Sequence, residues 1–287
     1  MALTYLETLA HFTTFLTAYT HTLLYLRSLY PRASFVQSRF HNTSVYQSRH
    51  PLVCEWITDA VAAVREELLN GSVAKIGIVI FSYGADEGAA GSAKIMERYM
   101  FDVSAFPVVD KGDRNMEIEW ESQTPEVSDH EDERGGVAKR GNVKALDVDV
   151  DVNLSEQFRA ALIALTTRTS MLAPLPPNCS FNISMELKDE AHVDPPVAHP
   201  QPWIPVQPSL QKTGRTPMMR DEFDEEEFEA GGRTDEGGDL GGARVTPIRS
   251  VEAGVFRFET WIEEGKAKFD NTQGDSTKTS FASSVQM

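Results

Sequence analysis

The chain has 287 residues, 41% of them hydrophobic, which suffices for one large domain or two small ones around a real core. Its formal charge of −16 is concentrated: residues 110–135 and residues 217–244 each hold ten acids and three bases, so the remaining chain carries only −2. A phosphate backbone is repelled by such a surface, and direct nucleic-acid binding by a basic face is not expected. Two cysteines, Cys54 and Cys179, cannot make a disulfide framework. Glu7, His11 and many threonines interrupt the first thirty residues, which excludes a signal peptide, and no run of about 18 apolar residues predicts a membrane span. The expectation is an intracellular, soluble chain, for which the Asn-x-Ser/Thr triplets at Asn42, Asn70, Asn153, Asn178 and Asn182 carry no meaning.

Residues 3–29 place Leu9, Phe12, Leu16, Tyr19, Leu23 and Leu26 at alternating three- and four-residue spacing, one stripe of a long helix that Pro31 ends. Leu6, Phe15, Leu24 and Leu29 widen the stripe, so this helix is expected at the centre of the core. Two short extended pieces follow around His41-Asn42. Pro51 then opens a second helix, where its missing N–H costs nothing, and Asn70-Gly71 stops it. Val53, Ile57, Ala60, Val61, Val64 and Leu68 form its buried face; Trp56 lies off that face and either packs at its edge or lines a groove. Val73 to Phe81 reads as an inner strand, and Lys94 to Val103 alternates as a half-buried one. Residues 107–142 form a first acidic insertion, expected to be disordered. Asn153 and Glu156 fit a capping box at the start of a third helix, with Phe158, Leu162 and Leu165 on its apolar face and Pro174 after it. Phe181 to Leu187 alternates as a strand.

From Val193 to Gln211 six prolines exclude helix and central strand alike, yet Trp203-Ile204 sits among them. An extended strap pinned by that tryptophan is expected, followed by a second acidic insertion over 212–244. Val245–Val251 and Val255–Glu263 read as a terminal hairpin. Phe256, Phe258 and Ile262 take one face of its last strand; Arg257, Glu259 and Trp261 take the other. The tail after Gly265 reads as polar and loose.

Chemistry-bearing motifs are scarce. The glycine-rich stretch Gly84 to Lys94 lacks the phosphate-loop pattern and precedes a strand, not a helix. Asp147, Asp149 and Asp151 lack the glycine and glutamate of a calcium loop, and their alternation with valine reads as a strand's polar edge. His50 and Cys54 stand four apart on a helix, but no second pair completes a zinc site. Ser82 has Ile80 where a nucleophile elbow needs glycine. The sequence nominates no catalytic residue, no metal and no cofactor.

The succession of elements and several particular segments resemble the HORMA-domain family. Leu24-Tyr-Leu-Arg-Ser-Leu-Tyr-Pro31 with Phe35 is similar to the end of that family's first helix, and Val73 to Ile80 to its central strand. Ser48-Arg-His-Pro51, Pro176-Pro-Asn-Cys-Ser-Phe181 and Pro202-Trp-Ile204 resemble the members that serve as accessory subunits of DNA polymerase zeta. The resemblance covers roughly 3–105, 143–211 and 245–264. It implies an α+β fold over 1–264, with one mostly antiparallel sheet, three helices behind it and a C-terminal safety belt; 265–287 is left as tail. It also implies a non-enzymatic adaptor that traps a peptide of the polymerase's catalytic subunit in a groove with Trp56, Pro202, Trp203 and Ile204. A hairpin with Val245, Glu259 and Trp261 would meet a scaffolding translesion transferase. The third helix, at Arg159 or the equally matched Ala160, would pair HORMA domains as homo- or heterodimers. A nuclear address follows, alone or with a cytoplasmic pool. The alternative within the family is a spindle-checkpoint or meiotic adaptor holding a different peptide.

Overall fold

The computed structural model describes residues 3–83, 93–118, 144–188, 244–253 and 255–269. Helix α1 (Tyr5–Leu26) runs through the centre, opened by a capping box in which the Thr4 hydroxyl accepts from the Glu7 N–H while the Glu7 carboxylate accepts from the Thr4 N–H. A 3-10 turn (Arg32–Ser34) leads to the hairpin β1 (Phe35–Phe40) and β2 (Thr43–Ser48), turned at His41 and Asn42, both at positive φ. Helix α2 (Pro51–Asn70) starts on its proline and stops at Gly71. There φ is +73° and an added Cβ would meet Val108 at 2.6 Å, so both the turn and the neighbour require glycine. Strands β3 (Val73–Tyr83) and β4 (Ala93–Asp102) form the sheet's centre, helix α3 (Lys144–Ser170) backs it, and β5 (Cys179–Leu187), β6 (Arg244–Ala253) and β7 (Phe256–Glu264) complete it.

The main sheet has the order β5-β3-β4-β7-β6, every neighbouring pair antiparallel. Its core face carries Ile76, Ile78 and Ile80 of β3, Tyr99 and Phe101 of β4, and Phe258 and Ile262 of β7, all essentially inaccessible. Against them α1 presents Phe12 and Phe15. Phe12 meets Phe258 edge-on at 5.3 Å, and Phe15 stacks on Phe158 of α3 at 4.6 Å. Such ring pairs add about 0.5–1.5 kcal/mol each beyond the area they bury. The expected central position of α1 and the two faces of β7 are as the sequence predicts.

Three expectations change. Helix α3 begins at Lys144, well before Asn153, so Asp147, Asp149 and Asp151 lie in a helix and not on a strand edge. Alternating Val-Asp over so short a run carries no decisive period, and a helix fixed by the buried Phe158, Leu162 and Leu165 propagates backward through it. Residues 107–118, read as the start of the disordered insertion, are bonded to the fold. The Leu6 N–H donates to the Arg114 carbonyl, the Ile118 N–H to the Leu3 carbonyl, and the Arg114 guanidinium to the carbonyls of Leu69 and Val109. Backbone bonding here outweighs acidic composition. The third change is at the C-terminus: the Gly265 N–H donates to the Met96 carbonyl, a helical turn follows over 266–269, and Lys268 is buried.

A candidate peptide-binding edge

The two outermost strands are consecutive among the described strands. β5 ends one edge of the sheet and β6 the other, so the connection from Lys188 to Arg244 joins opposite edges across four strand spacings, about 19 Å. β4 pairs with β7 on one side and β3 on the other, which leaves the outer side of β5 without a strand among the described residues.

That edge has donors to offer. The Lys188 N–H donates inward to Ser72, whereas the Ile183 N–H donates to its neighbour Asn182 Oδ1 at 2.8 Å and not to β3. Antiparallel alternation then turns the main-chain groups of Phe181, Ile183 and Met185 outward. The side chains of the same three residues face the helices. Phe181 receives Trp56 of α2 edge-on at 5.0 Å and Tyr30 at 6.5 Å. Trp56 is 41% exposed, and Leu52, one turn earlier, is 67% exposed. A strand edge thus lies beside the exposed apolar pair Leu52 and Trp56.

Trp56 packs against the edge of the core at Phe181 and is partly open to solvent. Pro202, Trp203 and Ile204 lie outside the described residues. Leu52, Tyr30 and Phe181 were not singled out as site residues; the i,i+4 spacing of Leu52 and Trp56 was the available signal.

On the other side of the molecule, Val245, Glu259 and Trp261 come together as expected. They line a hollow of about 400 Å³ with Pro247 and Arg249. The Trp261 indole N–H donates to Glu263 Oε1 at 2.7 Å, and Glu263 is itself paired with Arg98 at 2.9 Å, both carboxylate and guanidinium buried. Phe256, Phe258 and Ile262 of the same strand are in the core. Arg159 lies on the outer side of α3, paired with Glu156 at 2.9 Å, with the exposed Ile163 one turn on. The peptide edge, the hairpin hollow and this helix face are separate surfaces.

Cys54 donates its S–H to the Ser48 carbonyl at 3.1 Å, and no group of three or more metal-ligand side chains exists among the described residues. No described helix is long and apolar enough to cross a membrane. The largest charged cluster is structural. Glu97, fully buried, accepts from Arg27 at 2.6 Å, from the Tyr99 hydroxyl at 2.8 Å and from Lys268, which also bonds Glu264. Arg27 donates further to the carbonyl of Thr169 in the last turn of α3 and to that of Ala173 just after it. Burial and the facing Glu97 carboxylate push the Tyr99 phenol well above its ordinary pKa.

Known proteins resemble this chain in sequence and in fold. A DNA polymerase zeta processivity subunit from Schizosaccharomyces pombe is 26% identical over 252 residues, 87% of this chain and 89% of that protein. The Arabidopsis thaliana protein of the same name is 22% identical over 184 residues, 64% of this chain and 65% of that one. A chain in the crystal structure of a mitotic checkpoint complex shares the fold, with a TM-score of 0.54 at 14% identity, covering 89% of this chain and 97% of that one. Both relatives bear the name of a processivity subunit. The model of the HORMA domain matches residues 8–215, and the chain belongs to that family.

Proposed function

We propose that this chain is the accessory subunit of a translesion DNA polymerase zeta. It holds a peptide of the catalytic subunit as an added strand along β5, enclosed by the connection between β5 and β6. The observation that carries the reading is the open β5 edge beside Trp56 and Phe181, at the foot of a connection that joins opposite edges. An extended peptide gains main-chain hydrogen bonds from such an edge and side-chain selectivity from the adjoining wall. With the connection passed over it, release requires local opening, so residence time exceeds what contact area alone provides.

Two further partners belong to the proposal. The hollow at Val245, Glu259 and Trp261 takes a scaffolding transferase, and the outer side of α3 at Arg159 pairs with a second HORMA domain. Pro202, Trp203 and Ile204 would close over the peptide. The nucleus is the place of action.

The test uses the full chain co-expressed with fragments of a polymerase zeta catalytic subunit. A captured fragment should slow amide exchange at 181–185, and Trp56→Ala or Trp203→Ala should hasten its release with the core still folded. Capture without protection of β5 would overturn the groove. Capture of a kinetochore or meiotic-axis peptide, and none from the polymerase, would move the chain to the checkpoint or meiotic role.

A further inference from the structure

A basic stretch lies away from the surfaces described above. Between residues 8 and 54 there is no aspartate or glutamate, in a chain that carries 43 of them. This window builds the hairpin β1–β2, and it brings Arg32, Arg39 and Arg49 to the surface. None of the three makes an ion pair with a described carboxylate; Arg32 lies over the Tyr25 ring at 5.3 Å, and Tyr25 stacks on Tyr46. Arg49 donates its N–H to the Ser34 carbonyl at the open end of the hairpin, close to Arg32. Arg39 stands four residues along β1 from Phe35, roughly 13 Å away at strand rise.

The hairpin's main chain is satisfied on one side only. Outward N–H groups of β2 are taken by α1: Tyr46 donates to Thr22 Oγ1 and Ser48 to His21 Nδ1. The Arg49–Ser34 bond fixes the alternation of the ladder, so Val36, Ser38 and Phe40 pair with β2 while Gln37 and Arg39 turn their N–H groups away from it. β1 is the edge of its two-stranded sheet, and Val36 to Arg39 are all exposed. Natural proteins usually blunt such an edge with prolines, a bulge or a covering element. Here the described residues supply none of these, and Arg32 and Arg39 stand along it.

We propose that the outer edge of β1 receives an extended acidic segment of a partner protein as an added strand, its carboxylates paired with Arg32, Arg39 and Arg49. A guanidinium fork matches a carboxylate in two parallel hydrogen bonds, and guanidiniums toward both ends of β1 set direction and register. Main-chain pairing selects a polypeptide over a nucleic acid. The site is independent of the β5 groove, so the two can be occupied together.

Exchange of backbone amides in the full chain, with the capped octapeptide Glu-Val-Asp-Val-Glu-Val-Asp-Val as probe, tests this. The peptide should slow exchange at 36–40 and leave 181–185 unchanged. Arg39→Glu should weaken binding about tenfold without altering the melting temperature, since that side chain has no partner to lose. Gln37→Pro provides a second variant: it removes an N–H that β2 does not use, so the hairpin persists and the added strand is lost. Protection confined to β5, equal protection by a lysine analogue of the peptide, or tighter binding of an oligothymidylate would each overturn the proposal, the last in favour of nucleic acid.

Discussion

Lys268 illustrates how much one side chain can hold. Its ammonium sits between Glu97 and Glu264, which are directly opposite each other on β4 and β7. Two buried carboxylates in register repel, and Arg27 alone cannot neutralise both. Removing one partner of a buried charge cluster costs about 3–5 kcal/mol, because the rest stays buried and uncompensated. Lys268→Met should therefore lower stability by roughly that amount, read by chemical denaturation. A change below about 0.5 kcal/mol, the level of an ordinary surface substitution, would mean the ammonium is solvated. His21 gives a pH dependence of known sign. Burial depresses its pKa, and its Nδ1 accepts from the Ser48 N–H. The neutral form is thus favoured in the folded state, while the unfolded chain protonates near 6.5. Stability from this group is complete above that pH and falls as pH drops below it toward the depressed value. The melting temperature should decline between pH 7 and pH 5.5, and His21→Gln should flatten the decline; an unchanged slope would assign the loss to carboxylates.

At the level of the element, β7 shows a strand dividing its labour. Its core side carries Phe256, Phe258 and Ile262, and a slip of one residue would expose both phenylalanines. That register leaves Trp261 beside Val245 and Glu259, with its indole N–H already bonded to Glu263. Trp261→Ala should abolish the scaffold partnership and leave the β5 peptide bound, in a binding assay of both partners on one purified variant. Loss of both together with a lowered melting temperature would place Trp261 among the core residues. The two faces of β7, the central run of α1 and the start of α2 on Pro51 were legible because each is set by local periodicity or a single stereochemical rule. The α3 start was not, because a run of Val-Asp pairs suits two periods. Lys268 was invisible for a different reason: a lysine in a polar tail carries no sign that a carboxylate 171 residues away needs it.

For the whole molecule, the two acidic stretches carry −14 of the net charge of −16. Deleting 217–240 removes ten acids and two bases from a connection that already spans opposite edges. Loop-closure entropy changes by only about 0.6 kcal/mol for each doubling of length, so the deletion should leave the melting temperature within a few degrees and peptide capture intact. A large drop would show that the deleted stretch supports the fold. The family, the α+β class and the place of Trp56 beside the buried face of its helix were legible in the sequence, whereas the sheet order was not, since pairing between β4 and β7 is a contact across some 160 residues. The same distance has a consequence for biosynthesis. Phe12 and Phe15 are made near the beginning of the chain and Phe258 near its end, yet their rings touch. At about 5–20 residues per second the ribosome takes roughly 12–50 s to cover that interval. Throughout it the nascent domain has its central helix but lacks the last two strands that seal the sheet. Completion therefore follows synthesis, and a partner segment present in that window is enclosed as the domain closes for the first time, with no finished structure to reopen.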